Sequence, residues 1–360
     1  MEEPKATSKH TLCGYAWGDV TSSLQRAISV EDMTRSQRWA AELVCSDLGL
    51  GRLEALLFHI WALHVGSSYP SWCKTWFLAI HTLRSLWTKS GGDIKAVRNT
   101  PIVRQLVAES VAYLVLATKH PLPAIPTDKD CYREADAMRQ RIRSGGGAPD
   151  QIATRRIWVQ QLDGEDLRTI GNELEVAIKT NQLHRTLFWI VWMFTLEAQE
   201  NAPTAKERGP AFLSVKQRKS ILWFLVHLLK ELANDAAYLP IDDRKAIFDT
   251  LELTWPKLGI RGRKDCIVAV ALAIQEHITK QQSIVLSRPS STPDLEKIRD
   301  VVAKIDNVYA GIAEEARKYV LEAPVIAGLT KDVPKRPANQ KLTAVDKLSL
   351  SYSLLGSKPI

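Results

Sequence analysis

The stretch Leu24–Trp39, LQRAISVEDMTRSQRW, is matched 150 positions later by Leu174–Trp189, LEVAIKTNQLHRTLFW. Without a gap, five residues coincide: Leu24 with Leu174, Ala27 with Ala177, Ile28 with Ile178, Arg35 with Arg185, and Trp39 with Trp189. On one continuous helix these positions share a face. The middle of each copy also holds capping residues, Ser29, Asp32 and Thr34 in the first and Asn181 in the second, so a helix–turn–helix corner is the alternative. Either way, one packing solution is used twice. Arg and Trp stand four residues apart in both copies, which lets a guanidinium lie over the indole or lets the Trp fill the core while the Arg stem covers it.

Outward from these segments the periodicity stays helical. Leu53, Leu56, Leu57, Ile60, Trp61 and His64 follow the i, i+3, i+4 pattern. After Pro70, a second stripe runs through Trp72, Trp76, Ile80, Leu83 and Trp87 and stops at SGGD. Pro101 sits where a helix tolerates it, at the first turn. Ile221, Leu222, Leu225, Leu228, Leu229 and Leu232 define another helix, and Asp294–Leu321 reads as one more. No stretch alternates as an exposed-face strand would. The fold expected is all-α, with two helical-bundle lobes read as a duplicated unit, and extended arms at both ends. The boundaries are an N-terminal arm (1–19), lobe 1 (20–125), a Pro/Gly/Arg-rich junction (126–156), lobe 2 (157–283), a linker with a long helix (284–325), and a basic tail (326–360). A period near 150 residues is longer than solenoid repeats, which favours paired domains.

Composition fits a folded chain: 360 residues, 45% hydrophobic, 24% charged, with 11 Trp. The five cysteines are scattered without a CxxC, which predicts reduced, buried thiols and neither a disulfide framework nor a zinc site. The first ten residues lack an apolar signal region, and the longest apolar runs fall short of a membrane span. An intracellular or virion location is therefore expected.

The segment LQRAISVEDMTRSQRWAAELV, followed by a long helix pair and by LVLATKH at 114–120, resembles the helical C-terminal collar of clamp-loader-type AAA+ ATPases over about residues 20–125. The ATPase module has no counterpart, because GxxxxGK[ST] occurs nowhere. The resemblance implies a helical assembly module without a motor.

Motifs for catalysis are absent. His59 and His64 are five apart with no Glu between them, and GxSxG and GxGxxG do not occur. Asp242 and Asp243 read as residues of a helix start. No catalytic residue, metal ligand or cofactor is assigned. The net charge is +8, and basic residues cluster at corners. Arg139, Arg141, Arg143, Arg155 and Arg156 flank the Gly-rich junction. Lys216, Arg218 and Lys219 stand near Lys206 and Arg208 in a loop and helix start. Arg261, Arg263 and Lys264 occupy GIRGRKD. These are the candidate nucleic-acid contacts, to phosphate and independent of base sequence. In the tail, Leu348, Tyr352 and Leu355 form a candidate docking face. The leading expectation is a non-enzymatic scaffold or adaptor that associates with protein partners, as an oligomer, in an intracellular or virion assembly, with Trp72, Trp76 and Trp87 as interface candidates. The alternatives are a sequence-independent DNA- or RNA-binding protein of the replication-associated or nucleocapsid-like kind, and an enzyme with a diffuse site.

Overall fold

A computed structural model describes residues 10–46, 49–141, 144, 146–199, 202–279 and 293–327. The described residues are helical throughout, apart from loops and a single antiparallel bridge pair, His10 with Ala16. The all-α expectation is met.

Two compact units divide the chain. The first comprises 1–60, 75–117 and 291–360; the second comprises 61–74 and 118–290. The described helices of the first unit are α1 (Trp17–Ser29), α2 (Met33–Cys45), α3 (Gly49–His64, up to residue 60), α4 (Trp72–Lys89, from residue 75), α5 (Ile94–Arg98), α6 (Pro101–Leu116), α15 (Leu295–Ala303) and α16 (Ile305–Ala327). Those of the second are α7 (Asp128–Arg141), α8 (Ile152–Ile157), α9 (Glu165–Lys179), α10 (Leu183–Glu197), α11 (Val215–Arg218), α12 (Leu222–Asp235), α13 (Ile241–Thr254) and α14 (Ile260–Thr279). The turn between α3 and α4, where the Trp61 and Trp72 rings stack, belongs to the second unit.

The matched stretches are corners. Helix α1 ends with the N–H groups of Val30, Glu31 and Asp32 donating to the carbonyls of Arg26, Ile28 and Ala27. Helix α9 ends with Thr180, Asn181 and Gln182 donating to Val176, Ile178 and Ala177. This is a Schellman closure in both copies, and it needs a left-handed residue at its centre. Glu31 (φ 60°) and Asn181 (φ 57°) take that position, 150 residues apart. Leu24, Ala27, Ile28 and their partners Leu174, Ala177, Ile178 are buried in their respective units. The Arg–Trp pairing four residues apart does not form in the first copy. Arg35 turns to Asp32 (3.4 Å), and the guanidinium over Trp39 is that of Arg38, 5.4 Å from the ring centre. In the second copy Trp189 is buried and Arg185 is held by Glu173 and Gln182.

The left-handed turn gives a test. For an L-residue this backbone costs about 1–2 kcal/mol, whereas glycine adopts it freely at a smaller entropic cost. Glu31→Gly is expected to raise the denaturation midpoint by the equivalent of about 1 kcal/mol. Asn181→Gly is expected to lower it, because the Asn181 side chain accepts a hydrogen bond from buried Gln275 at 2.8 Å. Equal shifts in the two variants would contradict the geometry.

The segment read as a junction contains helices. Among its described side chains helix α7 buries Cys131 and Ala135 alone, so it carries no apolar stripe wide enough to announce itself. Asp294–Leu321 is two helices, broken at Lys304, after which Ile305, Tyr309, Ile312 and Ala316 are the buried register.

All five cysteines are reduced and buried. Burial pushes the thiol of Cys45 up to about 12 and that of Cys131 up to about 11. Since the thiolate is the reactive form, native protein is expected to resist a disulfide reagent at about pH 8, while denatured protein exposes every thiol. Rapid labelling of the native chain would contradict this.

Candidate functional site

Buried carboxylates in the second unit organise its surface loops. On α9, the Glu175 carboxylate accepts the N–H groups of Ala153 (3.1 Å) and Thr154 (2.8 Å), the Thr154 hydroxyl and Lys179. It thereby fixes the start of α8, where orphan N–H groups favour an anion. Glu173 accepts the Ala148 N–H (2.7 Å) and pairs with Arg185. Gly171 lets α8 approach, because a Cβ there would stand 2.7 Å from the Thr154 side chain.

Residues 206–219 form the most heavily braced loop. Asp163, fully buried in its side chain, receives two hydrogen bonds from Arg208, one of them Nη1 to Oδ1 at 2.7 Å. It also accepts the backbone N–H groups of Lys206 (2.8 Å) and Val159 (2.8 Å). Burial alone would raise this carboxyl. The hydrogen bonds from Arg208, Lys206 and Val159 outweigh it and hold the group below its usual range. The N–H groups of Arg208 and Gly209 donate to the Arg218 carbonyl, and Arg218 donates to the carbonyls of Ala211 and Leu213 and to Glu207. Ser214 and Gln217 close a capping box around α11. The Trp223 indole donates to the Gln217 carbonyl (3.0 Å), and a Cβ on Gly209 would stand 2.7 Å from both that indole nitrogen and the Arg218 Cα.

From this rigid frame Phe212 (60% exposed) and Val215 (52% exposed) project outward, with Leu213 buried between them. Lys216 and Lys219 are exposed beside them. The Trp223 ring lies 4.6 Å from that of Trp255, and the Arg263 guanidinium covers Trp255 at 4.9 Å while its Nε donates to the Trp255 carbonyl. The two indoles meet in the core at a tilt of 41°, and beyond Trp255, at the 255–264 corner, Ile260 is 75% exposed and Arg261 points to solvent.

The basic residues singled out in the sequence fall into three groups. The first is Lys216, Arg218 and Lys219 in the 206–219 loop together with Arg261 and Arg263 at the 255–264 corner. Within this group Arg218 and Arg263 are committed to carbonyls, Glu207 and an indole. Burial lowers the pKa of Arg263, partly offset by Glu197. Lys264 lies 4.0 Å from Asp128. Arg155 and Arg156 are exposed on α8, with Arg156 3.4 Å from Glu231. Arg139 and Arg141 belong to α7, but their side chains, and Arg143 altogether, lie outside the described residues, as do Leu348, Tyr352 and Leu355.

Of the tryptophans considered for an interface, Trp72 and Trp76 are core residues and Trp87 is 39% exposed. The sequence reading passed over Phe212, Val215 and Ile260. Their signal was apolar residues at corners bounded by Gly and Pro, outside any helical stripe. Among the described residues, no group of three or more His, Cys, Asp or Glu side chains is placed to hold a metal ion, and no helix is long and apolar enough to cross a membrane. Comparison with protein-family models, curated proteins and solved structures found no match.

Proposed function

We propose that this chain is a non-enzymatic α-helical scaffold or adaptor that works by protein–protein association within a larger assembly. The observation that carries the reading is the cross-braced loop 206–219, which spends a buried ion pair and a capping box on presenting Phe212 and Val215 to solvent. Organised loops of this length serve recognition, and apolar side chains held outward on a rigid frame are what a partner buries. The buried carboxyl groups of Glu42, Asp163, Glu173 and Glu175 each accept from the backbone, a structural use of acidic side chains. The collar-like character of residues 20–125 belongs to the same reading, as an assembly module.

The competing reading is nucleic-acid binding through the basic corners. The test is an anisotropy titration of a labelled duplex and a labelled single strand at two salt concentrations, beside a variant with Arg155, Arg156, Lys216 and Lys219 changed to Ala. The scaffold reading expects binding no tighter than the non-specific range of roughly 10⁻⁴–10⁻⁶ M. Tighter binding that falls steeply with salt and is lost in the variant would replace it.

A further inference from the structure

We infer that the exposed face of loop 206–219, Phe212 and Val215 with Lys216 and Lys219, docks an acidic segment of a partner protein that carries apolar anchor residues. The inference rests on the scaffold reading and names the chemistry of its partner.

Three features argue for that occupant. The apolar side chains are aliphatic as well as aromatic: Val215 offers no ring for a base to stack on, yet suits the burial of a peptide's Leu or Phe. The strongest phosphate ligands nearby are already used, because Arg218 and Arg263 are spent on carbonyls, Glu207 and Trp255. Lys216 and Lys219 are exposed and make no ion pair among the described residues. Within 206–219 the only acidic residue, Glu207, is taken by Arg218, and Arg208 is held by Asp163, so the exposed cations are Lys206, Lys216 and Lys219. A positive rim around an apolar centre is complementary to carboxylates flanking apolar anchors. The frame is preorganised through Asp163, Gly209 and Trp223, so binding need not order the loop.

The test is selection of a displayed library of random short peptides on the full chain, with counter-selection on Phe212→Ala and on Lys216→Glu/Lys219→Glu. Both variants alter exposed side chains, and unchanged thermal melting confirms their fold. Peptides retained by the parent chain are expected to be net acidic with Phe, Leu or Trp anchors, to weaken with salt, and to bind each variant roughly tenfold or more weakly. Retained peptides that are neutral or basic, or that ignore Phe212, would overturn the inference, as would failure to enrich any peptide. Preference of the same surface for a labelled single strand over every selected peptide would assign it to nucleic acid instead. The scaffold reading fails separately, if a photoreactive side chain at position 212 forms no protein adduct in cells.

Discussion

Asp163→Ala is expected to destabilise the second unit by about 3–5 kcal/mol, the effect of leaving a buried charge without its partner. Arg208 is nearly as buried as Asp163, and its guanidinium would keep the Ile157 and Lys206 carbonyls and the Phe224 ring but no counter-charge. The N–H groups of Val159 and Lys206 would lose their acceptor as well. The loop that carries Phe212 hangs on this anchor, so trypsin should cut after Lys216 and Lys219 faster in the variant than in the parent, under conditions where both remain helical. The pH dependence has a fixed sign. The folded Asp163 carboxyl sits below its unfolded value, so its contribution is complete above the ordinary carboxylate pKa of about 3.9 and is lost as pH falls through the lower folded value. The stability gap between the parent and Asp163→Asn should therefore be full at neutral pH and close in strong acid. A gap that widened on acidification would contradict the assignment.

The second large effect is expected in the first unit. Glu42 is fully buried, accepts the Cys13 N–H (2.9 Å) and pairs with Arg38 (2.9 Å), which also reaches Glu315 on α16 (2.7 Å). Tyr15 donates to the same Glu315 at 2.5 Å. Burial opposes the charge of Arg38, and Glu42 and Glu315 outweigh it, raising its pKa. Gly14 (φ 80°) lies against the Tyr319 ring so closely that a Cβ would stand 2.4 Å from it. Residues 13–15 are thus clasped between α2 and α16. Glu42→Ala removes the only carboxylate that holds both the Cys13 backbone and Arg38, with an expected loss of about 3–4 kcal/mol. Its specific sign is chemical: Cys13 should become reactive to a thiol reagent in otherwise folded protein. A protected Cys13 with stability within about 0.5 kcal/mol of the parent would show that the clasp contributes nothing.

The all-α character was legible because burial in helices imposes a 3.6-residue period, and the stripes at Leu53–Ile60 and Ile221–Leu232 obey it. The corner was legible as a repeat, and its capping residues offered a turn beside a continuous helix, but the residue that closes the turn was not legible. The left-handed position that closes each Schellman motif is held by Glu31 and Asn181, where glycine is the usual signal. Helix α7 was hidden because Cys131 and Ala135 are small and its other residues are largely polar. The basic corners were visible in composition, but nothing local tells which cations are spent internally. Arg208 is committed by Asp163, forty-five residues away in sequence, and Arg263 by the ring of Trp255. The tilted contact of Trp223 with Trp255 is likewise a tertiary fact. Exposure of Phe212 follows from the long-range braces of its loop, so the candidate surface became readable only with the fold.

The central claim is association through the Phe212 face. Its most direct measurement places a benzophenone amino acid at position 212, and at exposed Leu78 as a control, in cells producing the full chain, followed by irradiation and mass spectrometry. The account predicts discrete protein adducts at position 212 well above those at position 78, lost when Lys216 and Lys219 are changed to Glu. Adducts at position 212 no more frequent than at position 78, or adducts to nucleic acid alone, would contradict it.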